Sequence, residues 1–416
     1  MSIPESSFSL EYDGKESLVS LESTMVFSPL AGLKVLDLSQ GVAGPYCAQI
    51  LADQGAEVIK VEPAQGDWGR HVGMAANGHS TISTTYNRGK KSVAIDAKHP
   101  QGKALLLELA AQADVIVQNF RPQVVQRLGL DYESLVARGM QVVYLSISGY
   151  GADGPYAENP ATDSVMQADT GLMHTNRTAQ GDPQRVGFLL ADIATGVYAA
   201  QACTAALLER LRTGQGRHVE LNLFEVCCAL QSTAVAEDMA RVQSGQTSAP
   251  QAVSAPNGVF DAADGKISIL ALNNDQFARI ATALDLAHWS QDPRFASNDL
   301  RLQHKAVLHA ELAATVQHRS LEDLESCFQQ HSVLHARIRT SEQVVQHPQA
   351  VHLGTFHQLQ QPGMGVVQVA ALPCGDRTAT QLPAPRIGEH TVQVLQRLGK
   401  TDTDIQALLA AQAIAC

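Results

Sequence analysis

The sequence predicts an α/β fold built on a parallel sheet covered on both faces, and three observations carry that expectation. Short β-rich runs recur through the first half, at 33–38, 57–62, 92–95, 114–118 and 141–146. Helical runs at 46–54 and 102–112 lie between them. The run Asp114-Val115-Ile116-Val117-Gln118 is apolar through its interior rather than alternating, which marks a strand buried on both sides. Strands spaced by helices of this length call for parallel crossovers.

The first strand ends in a Gly/Pro turn, Gly41-Val42-Ala43-Gly44-Pro45, and the next helix is expected to begin with Pro45 at its first position. Gly55 stops that helix, and Pro63 closes the second strand. Ligands of parallel sheets bind beyond the carboxyl ends of the strands. Here those ends are 39–44, 119–121 and 148–150. A long apolar helix over 193–212, a Gly214-Gln215-Gly216 turn, a strand over 218–222 and a helix over 224–242 follow. The small, polar stretch 244–256 reads as a linker. Beyond it come strands at 258–260 and 266–272, joined through Asp264-Gly265, and helices at 276–284 and 300–317. These make a smaller α+β domain. The rest is turn-rich (Pro362-Gly363, Cys374-Gly375) and ends in helices at 389–398 and 403–411. The expected organisation is an extension over 1–28, a large domain over 29–225, a helix and linker over 226–256, a small domain over 257–339, and a second linker with a C-terminal part over 340–416.

Composition narrows the function. Of 416 residues, 45% are hydrophobic, enough for a sizeable core. Lys and Arg number 30 against 41 Asp and Glu, a net charge of −11 with no basic tract, which argues against nucleic acid and anionic membranes as partners. Anionic small molecules stay compatible, because a local basic site can form on an acidic protein. No run approaches the ~18 apolar residues of a membrane span. The Ser/Glu-rich start lacks the basic and apolar blocks of a secretory leader and reads as a surface extension. Seven cysteines without a CxxC spacing indicate reduced thiols and a cytoplasmic location. The 15 histidines show no metal-binding spacing, so no metal site is expected.

The first turn invites comparison with a dinucleotide fingerprint: Gly41 and Gly44 flank it, and Glu62 ends the second strand about 20 residues on. The pattern is GxxGP, and Pro45 removes an N–H that would face a phosphate. A packing turn and a site for another nucleotide-bearing cofactor are the alternatives.

A broader set of motifs resembles the class III CoA-transferases, the superfamily of formyl-CoA transferase, carnitine CoA-transferase and α-methylacyl-CoA racemase. The set runs from Leu30-Ala31-Gly32-Leu33-Lys34-Val35-Leu36-Asp37-Leu38-Ser39 through Val42-Ala43-Gly44-Pro45 and Gly55-Ala56-Glu57-Val58-Ile59-Lys60-Val61-Glu62-Pro63. It continues at Asn87-Arg88-Gly89-Lys90-Lys91-Ser92, Ala113-Asp114-Val115-Ile116-Val117-Gln118-Asn119-Phe120-Arg121-Pro122 and Ser148-Gly149-Tyr150-Gly151. Ala191-Asp192-Ile193-Ala194-Thr195-Gly196, Gly214-Gln215-Gly216-Arg217-His218-Val219 and Ala384-Pro385-Arg386-Ile387-Gly388-Glu389-His390-Thr391 complete it.

The resemblance implies an acyl-CoA:carboxylate CoA-transferase whose nucleophile is Asp192. It implies CoA thioesters as substrates, a carboxylate acceptor and no permanently bound cofactor. Catalysis would pass through a mixed anhydride and an aspartyl-CoA thioester. It also implies an interlocked, ring-like homodimer. Each subunit would carry a Rossmann-like large domain made from both chain ends. Asp163 matches an acidic residue lining the family's active site. Val42, Ala43, Ile95, Lys98, Asn119, Phe120, Arg121 and Arg127 match CoA-binding positions.

From the residues alone, Asp192 reads first as a helix N-cap, and Asp163 as a cap of the helix containing Val165, Met166 and Gln167. Backbone N–H groups at such a helix start would hold Asp192 ionised. Lys98 and Arg127 suit phosphates and Phe120 suits adenine, or they are surface charges and a core aromatic. The chain also departs from the formyl-CoA transferase pattern, with Pro63 in place of a basic residue, Val42 in place of Gln, and 254–258 in place of a glycine run. Thr162 stands where the racemase branch has a His, and no His occurs from 100 to 173, which favours transfer over racemisation. His174, Arg177 and Arg185 are candidates to receive the acceptor carboxylate. An acyl-CoA racemase or isomerase on the same scaffold, and an NAD(P)-dependent oxidoreductase, are the alternative activities.

Overall fold

The computed structural model describes residues 27–178, 180–245, 253–373, 375 and 381–416. Residues 1–26 of the predicted extension, much of the 244–256 linker and Cys374 lie outside the described residues. The first region runs β1 (Lys34–Asp37), α1 (Ala43–Asp53), β2 (Glu57–Glu62), α2 (Thr81–Asn87), β3 (Lys91–Ile95), α3 (Pro100–Ala111), β4 (Val115–Gln118), α4 (Pro122–Leu128), α5 (Tyr132–Val136) and β5 (Val143–Ser148). It continues with α6 (Asp163–Asp169), α7 (Leu190–Thr213), β6 (Arg217–Asn222), α8 (Leu223–Leu230) and α9 (Ser232–Gln243).

Next come β7 (Asn257–Ala262), β8 (Gly265–Leu270) and β9 (Leu334–Arg337), which form an antiparallel sheet of their own. Helices pack on it around a separate core of Phe277, Trp289, Phe295, Leu308, Leu312 and Phe328. A hairpin of β10 (Phe356–Gln361) and β11 (Gly365–Ala370) follows. The chain then returns through α10 (Thr391–Arg397) and α11 (Asp402–Ala410) to a last short strand, β12 (Ile414–Ala415).

The main sheet has the order β12-β3-β2-β1-β4-β5-β6, with β1 to β6 parallel and β12 antiparallel to β3. Alternation along each strand feeds two cores, as a doubly covered sheet requires. Val35, Val58, Val115 and Val143 face α1 and α7. Leu36, Val93, Ile116 and Tyr144 face α3 and the C-terminal helices. The strand order reverses between β1 and β4, the position where open parallel sheets bind ligands.

Several expected boundaries move. The first helix starts at Ala43, so Pro45 is its third residue and not its first. Proline fits there because N–H groups in the first helical turn have no intrahelical acceptor. The helix expected over 224–242 divides at Gln231, whose side-chain amide donates to Thr170 O. The one expected over 300–317 breaks at His304 into Asn298–Gln303 and Lys305–Val316. No helix among the described residues is long and apolar enough to cross a membrane.

Helix α7 crosses α1 at backbone contact. A Cβ on Gly196 would sit 2.9 Å from both the Ala43 carbonyl oxygen and the Tyr46 ring. Gly196→Ala is therefore expected to force the helices apart and to destabilise the protein by about 1–3 kcal/mol in a urea titration.

Candidate active site

Two loops meet at the switch point. The turn after β1 and the loop after β4 are joined by the Asn119 side chain, whose Oδ1 accepts from Gln40 N (2.8 Å) while its Nδ2 donates to Gln40 O (2.7 Å). The Asn119 amide thus acts between loops. Val42 and Ala43 are buried in the turn, and Ile95 is buried at the end of β3. Phe120 is half-buried against the α3-side core, its N–H bonded to Gln118 Oε1 (2.8 Å). Lys98, Arg121 and Arg127 are exposed. Lys103 Nζ donates to Arg127 O (2.9 Å), which ties α3, the helix following Lys98, to α4. A cavity of about 580 Å³ opens beyond the ends of β4, β5 and β6. Its walls include Asp131, Glu133, Asp153, Glu220 and Glu225, a setting that repels polyphosphate.

Asp192 is the third residue of α7, and Leu189 occupies the N-cap position. The capping reading of Asp192 is thereby corrected. The carboxylate that serves this helix start is Asp163: its Oδ1 accepts from Ala191 N (2.8 Å) and its Oδ2 from Gln167 Nε2 (2.8 Å). Asp163 does not cap its own helix either, because Thr162 stands at that N-cap. Gln167 also takes the Val186 N–H (2.9 Å) and donates to Phe188 O (3.3 Å), fixing the approach to Asp192. Sequence reading missed Gln167. Its signal was the i, i+4 spacing from Asp163 on one helix.

The expectation of a readily ionised Asp192 is also corrected. Burial, and then the neighbouring Asp163 charge, push its carboxyl up to about 7. Tyr86 on α2 stands near the same carboxylate. Burial, then the charges of Tyr46 and Asp192, push its hydroxyl up to about 12. The Tyr46 and Tyr86 ring centroids are 5.0 Å apart.

A pH prediction follows. With Asp192 as the nucleophile, as proposed below, only its carboxylate form reacts, so kcat/KM for an acyl-CoA is expected to rise about tenfold per pH unit below 7 and to level above it. Asp163→Asn removes the like charge and is expected to move that limb to lower pH. The stability sign is opposite. Between the unfolded value near 3.8 and about 7 the native state holds the extra proton, so this group's contribution to stability declines as pH rises.

The other expected groups have these partners. Arg177 donates to the His174 carbonyl and contacts its ring, and Arg185 Nη1 donates to Ser164 Oγ (2.9 Å), beside Asp163. Glu62 is buried with both oxygens on Arg70, which leaves it unsuited to a ribose hydroxyl and removes the basis of the dinucleotide reading. Among the described residues no cluster of His, Cys, Asp and Glu could hold a metal ion.

The fold is thus α/β with a parallel central sheet, and a half-buried carboxylate, Asp192, sits in the first turn of the helix that crosses α1 at the switch-point turn. The sequence profile of CoA-transferase family III matches residues 30–391. The chain belongs to this family of class III CoA-transferases. It is 34% identical over 385 residues to the human succinyl-CoA:glutarate CoA-transferase, covering 90% of this chain and 87% of the relative. It is 34% identical over 387 residues to a succinate–glutarate CoA-transferase of Agrobacterium fabrum, covering 89% and 96%. The crystal structure of a CaiB/BaiF family protein from Brucella suis superposes with a TM-score of 0.79 at 32% identity, over 89% of this chain and 99% of that one.

Proposed function

We propose that this protein moves CoA from an acyl-CoA donor to a carboxylate acceptor through covalent intermediates on Asp192. The observation that carries this reading is the Asp192 carboxylate itself. It is placed one helical turn before the α7–α1 contact, and its own helix start is already bonded to Asp163. An Asp192 oxygen attacks the thioester carbonyl, a C–O bond forms, the C–S bond breaks and CoA thiolate leaves. The thiolate then attacks the aspartyl carbonyl of the mixed anhydride and expels the donor acid as a carboxylate. The acceptor carboxylate attacks the resulting aspartyl-CoA thioester, and the released thiolate takes the acceptor's acyl group from Asp192. No electrons or net protons are exchanged.

Raised proton affinity fits this role, because a more basic carboxylate is the better nucleophile once ionised. Lys98 and Arg127 hold the CoA phosphates, Phe120 flanks the adenine, and the backbone at Val42 and Ala43 borders the thioester. Arg185, bonded beside Asp163, is the best-placed group for the acceptor carboxylate. The relatives' names favour dicarboxylic acids, with succinyl-CoA as donor. A panel of acyl-CoAs and acids, followed by chromatography, tests this: a new acyl-CoA should form only when both substrates are present.

The active unit in this reading is an interlocked homodimer with Rossmann-like large domains. Its support is an apolar groove of about 1290 Å³ along the outer face of α7, where Leu208 and Leu211 are exposed at 59% and 83%. Analytical ultracentrifugation is expected to show a dimer.

A further inference from the structure

Six ionisable side chains are buried together behind the switch-point turn: Asp37, Lys60, Glu62, Asp67, Arg70 and Lys90. Strands buried on both faces rarely carry such groups unless they are paired. Four of them are spent on the backbone of one turn. Asp37 Oδ1 accepts from Ser39 N (3.0 Å), Lys60 donates to Ser39 O, and Asp67 Oδ1 accepts from Gly41 N (2.9 Å). Lys90 Nζ donates to Pro45 O (2.8 Å), Asp37 Oδ2 (2.8 Å) and Asn87 Oδ1 (2.9 Å). All three protons of that ammonium are therefore used, each on a different segment: the end of β1, the first turn of α1 and the last residue of α2.

The residues next to two of those anchor points are Tyr46, after Pro45, and Tyr86, before Asn87. Their rings pack against each other, Tyr46 lies against Gly196 of α7, and Tyr86 feels the charge of Asp192. We propose that Lys90 is a positioning residue whose buried ammonium clamps α1 to α2 and so sets the Tyr46–Tyr86 wall against the Asp192 nucleophile. This inference rests on Asp192 being the reacting group. Lys90 touches no substrate; it acts through the two tyrosines.

The test uses two variants of the full-length protein. Asp37→Asn/Lys90→Met removes the clamp without leaving an unpaired charge, and Asn87→Ala cuts one arm and keeps both charges. Below their melting temperatures, both are expected to lower kcat at least tenfold while KM for the acyl-CoA changes less than threefold. The tyrosine near-ultraviolet circular dichroism should change in parallel. A purely structural role would lower the melting temperature and leave kcat per folded molecule intact, and that result overturns the proposal. If the double variant does not fold, Asn87→Ala decides by the same criteria. If the wild type moves no CoA, the functional reading fails, and the tyrosine signal decides the clamp: altered in the variants it stands, unaltered it falls.

Discussion

Asp192→Ala is expected to lower CoA transfer by at least about 10³-fold while acyl-CoA binding and folding persist. The side chain sits at the third position of α7, where alanine is a good helix former, and the helix start keeps its bond from Ala191 N to Asp163. Nothing that holds the site together is removed. Burial of an ionisable group with proton affinity as high as Asp192's is a cost to folding, so the variant is expected to be as stable as the wild type or more so at pH 8. Asp192→Asn should be similarly inactive, because an amide oxygen is a poor nucleophile. Steady-state rates, acyl-CoA titration and thermal denaturation measured on the same preparation separate chemistry from binding and stability.

The second large effect concerns stability. Glu62→Ala is expected to cost about 3–5 kcal/mol, because it leaves a buried guanidinium without its counter-charge. Glu62 Oε1 accepts from Arg70 Nη2 (2.6 Å) and Ser92 Oγ (2.6 Å), and Oε2 from Arg70 Nε (2.8 Å) and Asp67 N (3.0 Å). Burial alone would raise this carboxyl; Arg70, with Lys60 and Ser92, brings it below its ordinary value. Its stabilising contribution is therefore present above the unfolded-state value and lost as pH falls through the folded one. Arg70 also donates to Pro385 O (3.0 Å), and Ser92 Oγ accepts from Gly388 N (2.9 Å). Loss of Glu62 should thus loosen the segment that carries the C-terminal helices back to the sheet. Urea unfolding gives the magnitude, and hydrogen exchange at 384–391 should rise with it.

Much of this architecture is readable in the chain, for physical reasons. Six strands read out because β-branched runs bounded by Gly and Pro leave little alternative. Their carboxyl ends, and so the switch-point loops, came with them. The residues that hold those loops were less visible. Lys60 and Lys90 look like ordinary surface lysines until the sheet buries them. Lys60 at least carries a hint, lying between Ile59 and Val61 in a strand covered on both faces. Asp192 was placed by its motif, but its protonation was misjudged, since its burial, and then the approach of Asp163 from another helix, depend on packing and not on spacing. The hairpin at 356–370 and strand β12 were missed because Phe356–Gln361 is glutamine-rich and β12 is only two residues long. Only pairing with the rest of the fold makes them strands.

The central claim is that CoA passes through the Asp192 carboxyl, and it can be read directly by mass. Wild-type protein is mixed with succinyl-CoA in the absence of acceptor, reduced with borohydride and digested. The account predicts that the peptide containing Asp192 carries the reduced side chain and that hydroxylamine added first yields the hydroxamate at that residue. An unmodified Asp192 in protein that turns over at full rate would contradict it.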